Sequence, residues 1–347
     1  METKKKRGIS RSWIAVILII ALLAVYQIPL PYYYSQPGEA VALADMIEVT
    51  EGYGEEGQFY LTTIRQRRAN LPLYMWAQMS DYRELLHEEL FLRSGETDEE
   101  YFHRQTMLMT DSQEAAKIVA YREAGHEVNI EYQGVRVTEV IDEMDAANHL
   151  EEGDLIQEIN GQRINTLDDL HGNLDEKEAG DEVELLVVRE NEEIEVTVKM
   201  DTFPSEMDDT ERAGLGIMYP VTEREVTFEP ATNIEAGAIG GPSAGLMFSL
   251  EIYNQLTEGD ITKGLNIAGS GSIDEDGNIG RIGGIKQKVV AAENSGIDVF
   301  FAPDDDLGEI SNYEEAMEAA EDINAEMEVV AVETFDDAIT FLESYEP

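Results

Sequence analysis

Six residues, Gly240-Gly241-Pro242-Ser243-Ala244-Gly245, run directly into the apolar stretch from Leu246 to Leu256, and this junction constrains the chain more than any other feature. The apolar spacing and length of the stretch predict a buried helix, with Ser243 at or near its N-terminus. Small neighbours there let a second backbone come close, while the unpaired N–H groups and positive dipole end of a helix favour developing negative charge. A serine so placed suits a nucleophile with an oxyanion site beside it. The run from Gly237 to Ser243 superficially resembles a phosphate loop. No Gly-Lys-Ser/Thr follows it or occurs elsewhere in the chain, so the phosphate-loop reading fails and no nucleotide is expected as a partner.

A serine hydroxyl is a weak nucleophile until a neighbouring base removes its proton. The five histidines, His87, His103, His126, His149 and His171, all precede Ser243 by a wide margin. After Lys199 only Lys263, Lys286 and Lys288 remain, and the last two follow the glycine pair of Ile282-Gly283-Gly284-Ile285. This pattern points to a Ser-Lys dyad. A lysine acting as a base must be neutral, so its pKa has to fall from about 10.4 through burial worth roughly 3 units. The flanking Ile282, Ile285, Val289 and Val290 are apolar enough to provide that burial.

At these residues the chain resembles the proteolytic domain of the Lon family of serine peptidases. The segments Gly-Pro-Ser-Ala-Gly around Ser243, Ile279 to Lys288, Val289 to Ile297 and Phe300-Phe301-Ala302-Pro303 stand in that family's order and at comparable intervals. The resemblance implies an α/β proteolytic domain over 213–347. It also implies Ser243 as nucleophile, Lys286 rather than Lys288 as general base, and Gly241, Pro242, Ala244 and Ser270 along the oxyanion and substrate approach. Two positions depart from the family pattern: Ser270 stands where threonine is usual, and Ser272 replaces a glutamate. The ATPase module of the full-length Lon enzymes has no counterpart motif here, so an ATP-independent peptidase is expected, with no cofactor and no metal.

Between about Val128 and Met200 the pattern changes to short strands separated by turn signals. Gly134 to Val140 and Ile194 to Val198 alternate as half-buried strands do, Asn160-Gly161 marks a hairpin turn, and Thr166 followed by Asp169 is a helix N-cap. With Gly153-Asp154, Ile159-Asn160-Gly161 and Gly180-Asp181 in order, 128–200 resembles a PDZ domain of the bacterial type. The resemblance implies a peptide added as a strand in a groove between Val135–Val140 and the helix starting near Thr166. Tyr132, Gly134, Val135, Val137, Thr166 and Leu170 are the groove residues it assigns. A module that packs on the protease and gates it, without recruiting peptides, is the competing reading.

Net charge is −49, from 73 acidic and 24 basic side chains, which excludes nucleic acid as a partner because phosphate binding needs a basic face. Such acidity fits a salt-rich or alkaline exterior, and carboxylates around Lys286 would oppose its neutral form, so peptidase activity is expected to rise with ionic strength or pH. There is no cysteine, hence no disulfide framework. Lys4-Lys5-Lys6-Arg7 precedes an apolar run from Trp13 to Leu30, long enough at 1.5 Å per residue to span a bilayer, with Tyr32-Tyr33-Tyr34 at its far interface. A cleaved signal peptide ending at Ala42-Leu43-Ala44 is the alternative.

The expected chain is therefore an α+β multidomain protein. It has a basic cytoplasmic tail (1–12), a transmembrane anchor (13–34), a linker and helical segment (35–127) whose strand 58–64 pairs with the protease domain, a PDZ-like domain and a Lon-type domain. The function expected is a single-pass membrane serine endopeptidase cleaving extracellular peptides or proteins. A catalytically silent PDZ adaptor or scaffold is the alternative, and the resemblance adds assembly into a homo-oligomer.

Overall fold

A computed structural model describes residues 13, 26–80, 82–93, 96–175, 177–204, 212–237, 239–305 and 310–345. The chain divides into two compact units, one made of 1–127 together with 228–347, the other of 128–227 inserted between them. The first unit opens with β1 (Pro29–Ala42), β2 (Ile47–Val49), β3 (Gln58–Asn70), α1 (Leu71–Ala77), β4 (Glu84–His87) and α2 (Asp98–Glu123). Asn70 caps α1 by accepting from Leu73 N–H, and a reciprocal Thr97–Glu100 capping box starts α2.

The inserted unit contains β5 (Asn129–Arg136), β6 (Glu139–Val140), β7 (Leu155–Ile159), β8 (Gln162–Arg163), α3 (Leu167–Leu174), β9 (Glu182–Arg189), β10 (Glu192–Lys199), β11 (Asp201–Thr202), β12 (Ala213–Gly214), β13 (Ile217–Met218) and β14 (Val221–Thr227). Its main sheet runs β10-β9-β7-β5-β14, with β8 on β7. Alternating residues of these strands, among them Val135, Ile156, Val183, Leu185 and Val187, bury one core with Leu170 of α3. Residues 213–227, expected in the protease domain, belong here instead. Antiparallel pairing of β14 with β5 from Val221↔Arg136 to Thr227↔Asn129 ties them to the inserted sheet.

The chain then returns to the first unit through β15 (Thr232–Ile234), α4 (Gly245–Leu256), β16 (Asn266–Gly269), β17 (Ser272–Ile273), β18 (Ile279–Gly280), α5 (Ile285–Glu293), β19 (Val299–Pro303), α6 (Asn312–Ile323), β20 (Glu328–Val332) and α7 (Phe335–Ser344). The resulting sheet has the order β20-β19-β16-β3-β1-β4. From β3 to β20 the pairings are parallel, and β1 pairs antiparallel with both β3 and β4. All five residues of β19 are buried, as a parallel strand covered on both faces requires. Phe300 packs with Ile285, Val289 and Ala316 of α5 and α6, while its neighbour Phe301 points the other way and meets Phe341 of α7 at 5.7 Å between ring centroids.

This arrangement corrects the far end of the expected anchor and the tether that follows it. Tyr33 and Tyr34 are 2% exposed, paired across β1 with Arg68 and Arg67 on one side and Leu86 and Leu85 on the other, so the tyrosine run is sheet core and no interfacial belt. Residues 35–42 continue the same strand, and Leu43 is fully buried with its N–H donated to Phe59 O, so a cut at Ala42-Leu43-Ala44 would sever β1 from its sheet. Long-range pairing overrides local composition here. Within the expected helical segment, residues 70–92 form only the short α1, followed by β4. Among the described residues no helix is long and apolar enough to cross a membrane; the apolar residues 14–25 lie outside them.

Candidate active site

Ser243 stands two residues ahead of the first residue of α4, on a loop held from two sides. From α2, Gln105 O accepts the N–H of Gly241 at 2.8 Å and the hydroxyl of Ser112 donates to Pro242 O at 3.0 Å. From the segment after β16, the Gly271 N–H and the Ser270 hydroxyl both donate to Ser243 O, at 3.0 and 2.9 Å, and Leu246 N–H returns a bond to Gly271 O. The close approach needs glycine at 245, where a Cβ would meet Ile273 Cγ2 at 2.7 Å and Ser112 Oγ at 2.8 Å.

The base expected at Lys286 is displaced by two residues. Lys286 Nζ bonds Glu318 Oε2 of α6 at 2.5 Å on a side chain 39% exposed, and that bond raises its pKa, the opposite of what a base requires. Lys288 instead lies 3% exposed with Nζ 2.8 Å from Ser243 Oγ and 2.8 Å from Ser270 Oγ. Two positions along a helix are about 200° apart, so the two lysines leave α5 on nearly opposite faces. Burial alone lowers Lys288 to about 7. The carboxylates expected to oppose deprotonation act on Lys286, through Glu318, Glu315 and Asp322, while none contributes at Lys288. A signal for this was present in the sequence: Ile285, Lys288, Val289 and Ala292 follow the i, i+3, i+4, i+7 pattern of a core-facing helix stripe.

A neutral lysine amine has two hydrogens and one lone pair. With Ser270 Oγ accepting one hydrogen and the Ser270 hydroxyl spent on Ser243 O, the lone pair is left to face the Ser243 hydroxyl. Ser270 is fully buried. The oxyanion donors narrow as well. Gly241 N–H is taken by Gln105 O, Pro242 has no N–H, and Gly245 N–H and Leu246 N–H bond Pro242 O and Gly271 O. Among the described residues no partner occupies the N–H groups of Ser243 and Ala244.

The groove assigned to the inserted unit also shifts. Val135 and Arg136 of β5 are paired on both sides, by β7 and β14, the backbone of Val137 bonds Asp154 and Gly153, and Glu139 and Val140 are paired with β13, so Val135 to Val140 is not a free edge for peptide addition. Val135 and Val137 are fully buried core, and Leu170 is 2% exposed. Tyr132 pairs with Arg224, and Gly134 is glycine because a Cβ would come within 2.3 Å of Ile156 O. Thr166 caps α3 in a reciprocal box with Asp169. The sheet edge beside α3 is β14, where Thr222 Oγ1 accepts the N–H of Leu167 at 3.0 Å. The Gly214-Leu215-Gly216-Ile217 run that leads into this edge, with Gly216 at φ +91°, lies in the stretch expected to open the proteolytic domain and belongs to the inserted unit instead.

Residues 111–200 match the family model of the PDZ domain, and residues 231–343 match that of the Lon protease C-terminal proteolytic domain. Similar curated proteins include the Lon protease of Aster yellows witches'-broom phytoplasma, 40% identical over 75 residues, covering 22% of this chain and 9% of that protein. The peroxisomal Lon protease homolog 2 of Caenorhabditis elegans is 33% identical over 132 residues, covering 38% and 15%. The Lon protease of Clostridioides difficile is 28% identical over 170 residues, covering 46% and 20%. The matched part is thus at most a fifth of these relatives' length. The solved PDZ domain of an SdrC-like protein from Listeria monocytogenes is 27% identical, covers 26% of this chain and 90% of that one, and superposes with a TM-score of 0.24. By the two family models the chain carries a PDZ domain and a Lon-type C-terminal proteolytic domain.

Proposed function

We propose that the protein is a serine endopeptidase that works through Ser243 and Lys288. The observation that carries this reading is the buried Lys288 amine, lowered to about 7 and 2.8 Å from the Ser243 hydroxyl. Neutral Lys288 takes the Ser243 proton as Oγ bonds to the substrate carbonyl carbon, and the resulting oxyanion turns towards the N–H groups of Ser243 and Ala244. Lys288, now an ammonium, gives that proton to the departing amine as the C–N bond breaks. Water then cleaves the acyl ester, with Lys288 again accepting a proton and Ser243 regaining its own. Ser270 acts as a positioning residue by orienting the amine.

The PDZ domain presents extended peptides by strand addition along β14 beside α3, which favours unfolded or exposed segments as substrates. Lys4-Lys5-Lys6-Arg7 followed by the apolar run supports a single-pass anchor with the N-terminus in the cytoplasm and the catalytic unit outside. Cleavage of a casein-like substrate by purified full-length chain tests the reading. Ser243→Ala and Lys288→Met should each lose activity by at least about a hundredfold, while Lys286→Met retains it. Cleavage undiminished in both of the first two variants would overturn the Ser243–Lys288 assignment, and no cleavage by the wild-type chain would leave a peptide-binding scaffold in place of an enzyme.

A further inference from the structure

We infer that α1 and the residues flanking it form a membrane-contact face that lays the proteolytic unit against the bilayer. This inference rests on the anchored reading above and goes beyond it, since an anchor alone leaves the unit free to stand off on its tether. On α1, Leu73 and Ala77 turn inward and pack with Tyr34 and Ala69. The opposite face carries Leu71, Met75 and, one turn further on, Met79, at the i, i+4, i+8 spacing of a helix stripe, with Trp76 alongside. Met75 is 65% exposed, Trp76 48% and Met79 72%, so a short amphipathic helix is oriented with apolar groups on both sides and only one side covered.

Three further observations select a lipid surface as the occupant. First, the chain's apolar N-terminal run arrives at this face: Asn70, the N-cap of α1, donates from Nδ2 to Tyr26 O at 2.9 Å, and Pro29 is in register with Asn70. Exposed Tyr26 and Ile28 adjoin the helix start. Second, Gln58 to Ser80 contains no Asp or Glu over 23 residues, where 73 acidic residues in 347 would place about five, so α1 and its flanks carry no acid of their own; of its arginines, Arg65 pairs with Glu39 and Arg68 with Glu88 and Asp98. A chain of net charge −49 is repelled by anionic headgroups over nearly all of its surface, so only an acid-free segment can approach them closely. Third, the Arg83 guanidinium stacks over the Trp76 ring, 4.4 Å from its centroid, a pairing of cation and indole suited to the headgroup layer. The interfacial aromatic that Tyr33 and Tyr34 fail to supply, being buried, is supplied by Trp76 and Tyr26.

The chain has two tryptophans, Trp13 and Trp76, so Trp13→Phe leaves a single reporter on the face. The full-length variant is reconstituted into phosphatidylglycerol–phosphatidylcholine vesicles, with and without lipids brominated near the headgroup end of the acyl chains, which quench indole only at contact range. A second chain, Trp13→Phe with Trp76→Phe and Tyr132→Trp, moves the reporter to the inserted domain. Flotation of each chain with vesicles is read first. Failure to float sinks the anchored reading itself, and the present inference with it. For chains that float, Trp76 emission should fall at least about twofold with brominated lipid while the Tyr132→Trp reporter changes little. Equal, weak quenching of both reporters overturns the membrane-contact face while leaving the anchor standing. Unquenched Trp76 whose emission shifts with protein-to-lipid ratio also overturns it, in favour of a second copy of the chain on this face.

Discussion

Lys288→Met should make the protein inactive and more stable at neutral pH, and the size of the gain follows from the burial of the amine. A lysine that titrates near 10.4 in the unfolded chain and at about 7 in the folded one must be largely neutralised on folding. At pH 7 this costs roughly 4 kcal/mol, from about 3.4 units at 1.36 kcal/mol each, less the half of the folded population still charged. The sign follows from proton counts. Between about pH 7 and 10.4 the unfolded state binds the proton and the folded state does not, so wild-type stability rises with pH through this window. Methionine of similar length removes that cost but also the two hydrogen bonds to Ser243 and Ser270, each worth about 1 kcal/mol. The net expectation is a gain of about 2 kcal/mol at pH 7, or roughly 4–8 °C in the midpoint of a unit this size, shrinking to near zero at pH 9. Thermal unfolding of wild type and variant at both pH values measures it. A variant less stable at pH 7, or a shift that is equal at pH 7 and 9, would refute the buried neutral amine and with it the dyad.

Peptidase kcat/KM should rise with pH through an apparent pKa near 7, because Lys288 must lose its proton to act, and the limb should move little with salt since burial, not charge, sets the value; a profile falling above pH 7 contradicts this. Glu251, fully buried on α4 with Oε2 lacking a hydrogen-bond partner among the described residues, is raised to about 8 by burial and by the neighbouring Glu55 charge. It holds its proton when folded, so its contribution is complete below the ordinary carboxyl range and is lost as pH rises towards 8. Glu251→Gln should therefore gain stability relative to wild type at pH 8 compared with pH 5, read from denaturant midpoints; no such pH dependence would place the carboxylate in water. Gly245→Ala drives a methyl into Ile273 and Ser112, and should cost about 1–3 kcal/mol and reduce cleavage with the displaced Ser243 loop. Unchanged stability and activity would mean that the loop yields freely.

Much of the local structure was legible. The apolar run after Gly245 becomes α4, the Thr166–Asp169 signal caps α3, Asn160-Gly161 turns between β7 and β8, and the alternation from Ile194 to Val198 lies in β10. In each of these the deciding interactions lie within one helix turn or follow from simple apolarity. The tyrosine run was misread because its fate depends on β3 and β4, which join it from about 30 to 55 residues away. The groove was placed on β5 for the same reason, since a strand's status as edge or centre depends on β14, and β14 is nearly a hundred residues later.

The sequence by itself determined that a serine would stand at a helix start with a lysine pair as its only nearby base, and that strands of PDZ type would lie upstream. Which lysine meets the serine was decided only by tertiary packing. Local composition makes α5 a helix, but only docking against β19 and α6 turns the Lys288 face inward and leaves Lys286 to Glu318. The neutral amine is likewise a property of the assembled core, because desolvation requires the whole shell of neighbours to be in place around it.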